Sequence, residues 1–324
     1  MRKAWVVYNP HAGRFPAGPL LQRAADVLSE AGWSIEVRET SASESLAQLA
    51  SQAIQAGCAA VFVAGGDGSV GQVAGALAGS QTALGVLPAG TANVWAKELG
   101  LPRLGWIHPL ALEEAAERIA HGDVRQVDLG LAAGTPFMLW AGIGLDGKIV
   151  NSIEPRARLE KAFAVAHYAV LAVWESLDWT GIDLKVSALG QTWQDRFVLA
   201  VASNIRAYAG GFLELSPEAK IDDGLLDFWL LRGQSAADAV ALVGQILMGR
   251  HVEAPQVIHF RTDAATFESS DPMPLQFDGE PAPKLTRVEL SVMPRALKVI
   301  VPRGGWPALF SDSQAERLEA LLPE

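Results

Sequence analysis

Cysteine is nearly absent from this chain. Of 324 residues only Cys58 carries a thiol, so no internal disulfide can form, and its place beside an apolar run marks it as a small core residue. Excess positive charge is missing too. There are 26 basic and 36 acidic side chains, a formal charge of −10, which argues against a nucleic-acid partner because phosphate backbones are held by basic stripes. Long apolar runs are also lacking. The longest charge-free stretch, Gly68–Ala96, has 29 residues but includes six glycines, Pro88 and several Ser, Thr, Gln and Asn side chains. A membrane-spanning helix needs about 20 mostly apolar residues in succession. A second stretch, Ala162–Trp174, has only 13 residues and includes His167. Met1-Arg2-Lys3 runs into Ala4–Tyr8 and then Asn9-Pro10, with no long apolar region or cleavage site of a secretory signal. No repeat or low-complexity tract is present. The histidines are scattered, which points away from a transition-metal site. A soluble, cytoplasmic protein is the expectation.

What is present is apolar. Half the residues are hydrophobic and 19% are charged, enough to build a core and to exclude wholesale disorder. At roughly 150 residues per domain, the length suggests two domains. The first 130 or so residues alternate strand and helix patterns. Strands are expected at Ala4–Tyr8, Ser34–Glu39, Ala59–Ala64 and Leu84–Leu87. Helices are expected at Pro19–Ala31, Ser43–Ala56, Val70–Ala78, Ala92–Leu99 and Leu112–Ala120. This order implies a parallel, doubly wound α/β domain. From Arg125 onward, short β-like runs dominate, including Val127–Ala132, Phe137–Ile143, Arg196–Ser203, Leu225–Leu231, Ala265–Glu268, Leu275–Phe277, Arg287–Val292 and Ala296–Val301. They imply a sandwich or partly open barrel, interrupted by helices near Leu159–Leu177 and Ser235–Met248. The expected division is 1–126, 127–302 and a helical tail, 303–324, packed on the first domain.

Two segments read G-x-G-x-x-G. Gly142–Gly147 follows a strand and nearly makes a P-loop with Lys148, but Ile149 replaces the hydroxyl that would face magnesium. It reads as a strand-end turn. Gly66–Gly71 lies between a strand and a helix N-terminus, where backbone N–H groups and the helix dipole hold anions. Asp67 in its centre repels phosphate unless a cation lies between. No acidic residue ends the next strand, so a magnesium-nucleotide site explains this loop better than a dinucleotide site. A bare glycine turn capped by Asp67 remains open on these residues alone.

Val61–Ser69 (VFVAGGDGS) and Leu87–Leu99 (LPAGTANVWAKEL) resemble the catalytic domain of the diacylglycerol kinase superfamily, which includes sphingosine and ceramide kinases and soluble bacterial lipid kinases. Asn9–Gly13, Thr40, Asp128–Gly130, Ala209–Asp227 (AGGFLELSPEAKIDDGLLD) and Phe277–Glu280 extend the resemblance over nearly the whole chain. It implies an N-terminal α/β domain holding ATP, a C-terminal β-sandwich building the lipid site, and an active site in the cleft between them. It further implies that Gly65, Gly66, Asp67, Gly68, Ser69 and Gly71 cradle the ATP phosphates, with Asp67 acting through Mg2+. Thr40 and Thr91 would contact the nucleotide, assisted by Asn9 and Arg14. Glu280 would be the general base toward a lipid hydroxyl, with Asp278 orienting it or binding cation. The resemblance implies a structural Mg2+ held by the Asp223 side chain and the Lys220 and Leu225 carbonyls, with Asp128 joining it to the nucleotide through water. Read alone, Asp222-Asp223-Gly224 is a hairpin turn and Asp278–Pro281 a surface turn.

The sequence departs from the family pattern at Ser69 for Thr, at Gly71-Gln72 for Asn-Glu and at Val94 for Asp. The last two remove polar groups near the phosphates. The expected function is therefore an ATP-dependent lipid kinase acting on a diacylglycerol-like or sphingoid hydroxyl, in phospholipid metabolism. The rivals are an NAD kinase-like enzyme and a catalytically weak lipid-binding regulatory protein. The partner would be a membrane lipid, reached by transient peripheral contact at the inner membrane face, with a homodimer left open. Arg156, Arg158 and Lys161, leading into Ala162–Leu177 with Tyr168 and Trp174, read either as an anionic-lipid docking helix or as a core helix with solvated basic residues.

Overall fold

The computed structural model describes residues 2–10, 18–41, 43–102, 104, 108–153, 178–304 and 307–311. The first half alternates β1 (Arg2–Tyr8), α1 (Gly18–Glu30), β2 (Trp33–Glu39), α2 (Leu46–Gln55), β3 (Ala60–Gly65), α3 (Asp67–Leu77), β4 (Ala83–Pro88), α4 (Val94–Glu98) and α5 (Ala111–Ala120). The strands are parallel, in the order β4-β3-β1-β2. β3 and β4 are buried along their whole length because helices cover both faces, so their sequences are apolar without alternation. Ser45 starts α2 with a reciprocal capping box, its hydroxyl accepting from the Gln48 N–H and the Gln48 side chain accepting from the Ser45 N–H. Helix α3 begins earlier than the hydrophobic pattern indicates, at Asp67, because Gly66 serves as its N-cap.

The second half contains β5 (Asp123–Ala132), β6 (Thr135–Phe137), β7 (Trp140–Gly144), α6 (Leu145–Ile153), β8 (Ile182–Ala188), β9 (Gln191–Ser203), β10 (Ala207–Tyr208), β11 (Leu213–Glu214), β12 (Leu226–Arg232), α7 (Ala236–Leu247), β13 (Val257–Thr262), β14 (Ala264–Phe277) and β15 (Glu280–Val301). Its main strands pair antiparallel. β8 and β7 each pair with both β9 and β14. The sheet therefore folds over on itself into a sandwich-like body around Phe197, Phe228, Phe267, Leu275 and Leu290. The same hydrogen-bonded sheet continues into the first half, where β15 lies between β4 and β5. The expected boundary at 126/127 lies inside β5.

Several sequence expectations are corrected here. The run Phe137–Ile143 is two strands, because the Met138, Leu139 and Trp140 N–H groups turn toward the Asp278 carboxylate. Two pairs of short runs are instead the long strands β14 and β15, carried through register shifts that locally break the alternation. Gly142–Gly147 is not a turn: it takes β7 directly into α6. Asp222-Asp223-Gly224 does not close a hairpin, since β11 before it pairs with β10. The helix expected over 159–177 and most of the expected C-terminal helix lie outside the described residues. Residues 307–311 dock against the 220–222 loop, where the Ile221 N–H donates to Leu309 and the Ser311 N–H to Asp222.

Candidate active site

The order 2-1-3-4 along the parallel strands makes β1 and β3 the neighbours from which the chain winds in opposite directions, and open α/β sheets bind ligands beyond the carboxyl ends of such strands. Asn9 follows β1, Thr40 follows β2 and Gly65-Gly66 ends β3 at this edge. Thr40 is buried and its N–H donates to the Tyr8 carbonyl. Arg14 lies outside the described residues.

Two glycine loops meet here backbone to backbone. A Cβ on Gly90 would overlap the Gly66 Cα, so only hydrogen fits between them. Asn93 has a left-handed backbone (φ 50°), and its side chain accepts from the Gly90 N–H and donates to the Gly90 carbonyl. Thr91 rides on that closed loop. Asp67 reaches across and accepts from the Trp95 N–H (3.2 Å), capping α4. Burial pushes its carboxyl above the usual range, opposed by these backbone donors and by Lys97. Ser69 lies within the first turn of α3, and Gly65 has no room for a side chain beside it.

The late turn arrives from a part of the chain some two hundred residues away. Asp278 and Gly279 both have positive φ (52° and 80°), which gives the hairpin β14–β15 the two-residue turn favoured by strand twist. The turn overhangs the first glycine loop. A Cβ on Gly68 would stand 2.8 Å from Glu280 Oε1, and one on Gly71 would stand 3.2 Å from Asp278 Oδ2. Glu280 is exposed at the surface of this junction. The Asp278 carboxylate is held by backbone: it accepts from the Met138 (2.7 Å), Leu139 (2.7 Å) and Trp140 (3.2 Å) N–H groups. Burial raises its pKa to about 6 against those donors, and the neighbouring negative charge of Asp67 adds to the rise. The departure at Gly71 has a geometric counterpart here, since it leaves space for the Asp278 carboxylate. Val94 is fully buried in the core.

At the loop expected to hold a second metal through Asp223 and the Lys220 and Leu225 carbonyls, the side chains bond within the protein. Asp223 Oδ2 pairs with Arg261 Nη2 (2.5 Å) and its Oδ1 accepts from the Leu225 N–H (3.0 Å). The Lys220 ammonium donates to the Ala308 carbonyl. Asp128, wholly buried, accepts from the Gly224 (2.7 Å) and Arg295 (2.6 Å) N–H groups and so ties β5, the 220–225 loop and β15 together. Arg261 also reaches Asp227, whose other oxygen bonds His259. Arg261 gave no signal in the sequence, because its partners are separated from it in the chain and meet it only across β12 and β13.

Among the described residues no three His, Cys, Asp or Glu side chains are grouped to hold a metal ion. Magnesium characteristically takes one or two carboxylates and completes its shell with substrate phosphates and water. Asp67, an oxygen donor at the glycine loop whose buried charge calls for a cation, fits that arrangement. At the 220–225 loop Arg261 supplies a positive charge beside Asp223, the one side chain expected to bind an ion there. No helix among the described residues is long and apolar enough to cross a membrane. The basic and aromatic residues expected at a lipid surface, Arg156, Arg158, Lys161, Tyr168 and Trp174, lie outside the described residues.

Comparison with known proteins gives the same two halves. Residues 3–132 match the diacylglycerol kinase catalytic domain, and residues 141–301 match the YegS C-terminal NAD kinase beta sandwich-like domain. A protein from Chromohalobacter salexigens, named probable lipid kinase YegS-like, is 30% identical over 305 residues, covering 93% of each chain. The diacylglycerol kinase of Bacillus subtilis is 25% identical over 86% of this chain and 90% of its own. A crystal structure of a diacylglycerol kinase from Bacillus anthracis, 21% identical, has the same fold over 94% of this chain and 98% of that one, with a TM-score of 0.69.

Proposed function

Because the chain belongs to the family of bacterial diacylglycerol kinases and YegS-like lipid kinases, we propose that it is an ATP-dependent lipid kinase that phosphorylates the hydroxyl of a diacylglycerol-like or sphingoid lipid. The observation that carries this reading is the 2.8 Å approach of Glu280 Oε1 to the Cβ position of Gly68. It brings the one exposed carboxylate of the late turn onto the loop best suited to phosphate.

In this reading the active site is the cleft where the two halves meet, with ATP held by 1–126 and lipid by 127–302. The N–H groups at the start of α3 hold the phosphates, and glycines at 65, 66, 68 and 90 let the phosphates approach the backbone. Glu280 accepts the proton of the lipid hydroxyl as its oxygen bonds to the γ-phosphorus and the bond to the β-phosphate oxygen breaks. Magnesium, bound by Asp67 together with the phosphates, would neutralise charge developing on the transferred group. Asp278 anchors the turn to residues 138–140 so that Glu280 is presented toward that point. The substrate lies in a bilayer, so the enzyme works by transient contact with a membrane surface.

The test is transfer of labelled phosphate from ATP to diacylglycerol, sphingosine and ceramide in mixed micelles, with NAD as a control acceptor. Labelled lipid is expected, and Glu280→Gln should lower kcat by about 100-fold or more. Labelled NAD would replace the substrate class. ATP binding without transfer to any lipid would favour a regulatory protein. Undiminished activity of Glu280→Gln would remove Glu280 from the role of base.

A further inference from the structure

The second glycine segment, Gly142–Gly147, leads from β7 straight into α6, and its glycines make room for close packing. A Cβ on Gly147 would run into the Pro274 carbonyl, so α6 sits directly on β14. A Cβ on Gly142 would overlap Asp146 Oδ2 and stand 2.6 Å from Gln276 Nε2. The glycines therefore clear space for one buried polar pair. Gln276 has no exposed surface, and a buried amide is costly unless both its ends are hydrogen-bonded. Both are: Nε2 donates to Asp146 Oδ2 (2.7 Å), and Oε1 accepts from the Gly279 N–H (2.7 Å). The Tyr208 hydroxyl also bonds Asp146, and Trp140 packs edgewise on Tyr208 (5.3 Å between centroids).

This chain ends at the turn that carries Glu280. In a two-residue hairpin turn the N–H of the second central residue has no partner in the strand ladder. Here Gln276 accepts it. Asp146 presents an acceptor to Gln276, which decides which way the amide faces and leaves Oε1 for Gly279. We infer that Gln276, oriented by Asp146, is a positioning residue that fixes the 277–280 turn so that Glu280 stands over the glycine loop. Asp278 holds the same turn from its other side, on the backbone of 138–140. An apolar residue at 276 would bury as well but would take this acceptor away from the Gly279 N–H.

The inference rests on the reading of Glu280 as the base, and the experiment separates the two. Wild type, Gln276→Met, Asp146→Asn, Glu280→Gln and the double variant Gln276→Met/Glu280→Gln are compared by kcat, KM for ATP, thermal melting and hydrogen exchange at the Gly279 amide. Displacement of a catalytic group by about 1 Å lowers rates by about 100-fold. Gln276→Met should accordingly lower kcat by about 10- to 100-fold with KM for ATP within about twofold of wild type. The Gly279 amide should lose protection, and the loss of rate should vanish in the Glu280→Gln background. Asp146→Asn keeps the volume and one acceptor oxygen, so it should give a smaller fall in the same direction, and it carries the comparison where Gln276→Met does not fold.

Wild-type kcat in Gln276→Met beside an inactive Glu280→Gln overturns the positioning role and leaves the base in place. So does an equal loss in both backgrounds, which is what a merely structural role produces. Undiminished activity of Glu280→Gln overturns the base instead. Gly279 exchange then decides on the hydrogen-bond chain alone: unchanged protection in Gln276→Met overturns it and lost protection supports it.

Discussion

At the scale of single residues, the site is organised by what hydrogen atoms permit. Gly68 tolerates Glu280 only because it has no Cβ. A methyl group there is relieved most cheaply by rotating the end of the Glu280 side chain, which is flexible, rather than by moving backbone. Gly68→Ala is therefore expected to keep its melting temperature while kcat falls by about 10- to 100-fold; a matched loss of stability would mean that the backbone moves instead. Asp278 makes a second prediction. Its carboxyl is raised from 3.8 to about 6 by burial, so the folded protein binds that proton more tightly than the unfolded chain. The associated stability is complete below pH 3.8 and is lost as pH rises through about 6. This rise in pKa corresponds to about 3 kcal/mol. Asp278→Asn should flatten the pH dependence of chemical denaturation between these limits. It keeps one oxygen for two of the three N–H donors. An unchanged slope would place the titration elsewhere.

At the scale of elements, the 220–225 loop has a positive charge supplied from within the chain. Arg261 on β13 spans Asp223 in the loop and Asp227 on β12; Asp227 is buried, and Asp223 and Arg261 are partly buried. Chelating divalent cations from the protein without nucleotide should therefore leave its melting temperature within about 1 °C. Arg261→Met, which removes the shared cation from Asp223 and Asp227, should lower stability by about 1–3 kcal/mol. A marked drop in melting temperature on chelation alone would restore an ion to this loop. The same element illustrates what pattern reading misses. KIDDGL has the composition of a hairpin turn, but its Asp side chains are spent on Arg261 and on the Ser311 N–H. These are tertiary contacts with no signature in local sequence.

At the scale of the whole molecule, the two halves are joined through one sheet and several polar ties. β15 runs beside both β4 and β5. The Gly79 N–H donates to Ala296, the Lys97 ammonium to the Gly210 carbonyl, and the Ala207 N–H to buried Glu98, while Lys298 bonds Gln81. Such shared hydrogen bonding couples the halves, so calorimetry should show a single cooperative transition with equal calorimetric and van't Hoff enthalpies. Two resolved transitions would show that each half unfolds by itself.

Most of the first half was legible in the sequence because each of its strands and helices buries one local apolar run or stripe. Ala60–Gly65 is all apolar because it is covered on both faces, and Ser45 with Gln48 announces a helix start locally. The first glycine loop was legible for a related reason: a strand, glycines and a helix N-terminus are consecutive. The β-rich half was less so. Long strands such as β15 change partners along their length, and register shifts erase the alternation that identifies a strand. What only the tertiary structure decided was which distant groups meet: Glu280 over Gly68, Asp278 on the backbone of 138–140, Gln276 between Asp146 and Gly279, and Arg261 between Asp223 and Asp227. The physical reason is the range of the forces. Periodicity and capping act within a few residues, whereas a buried carboxylate or amide takes its partner from whatever element the packed fold brings within hydrogen-bond reach.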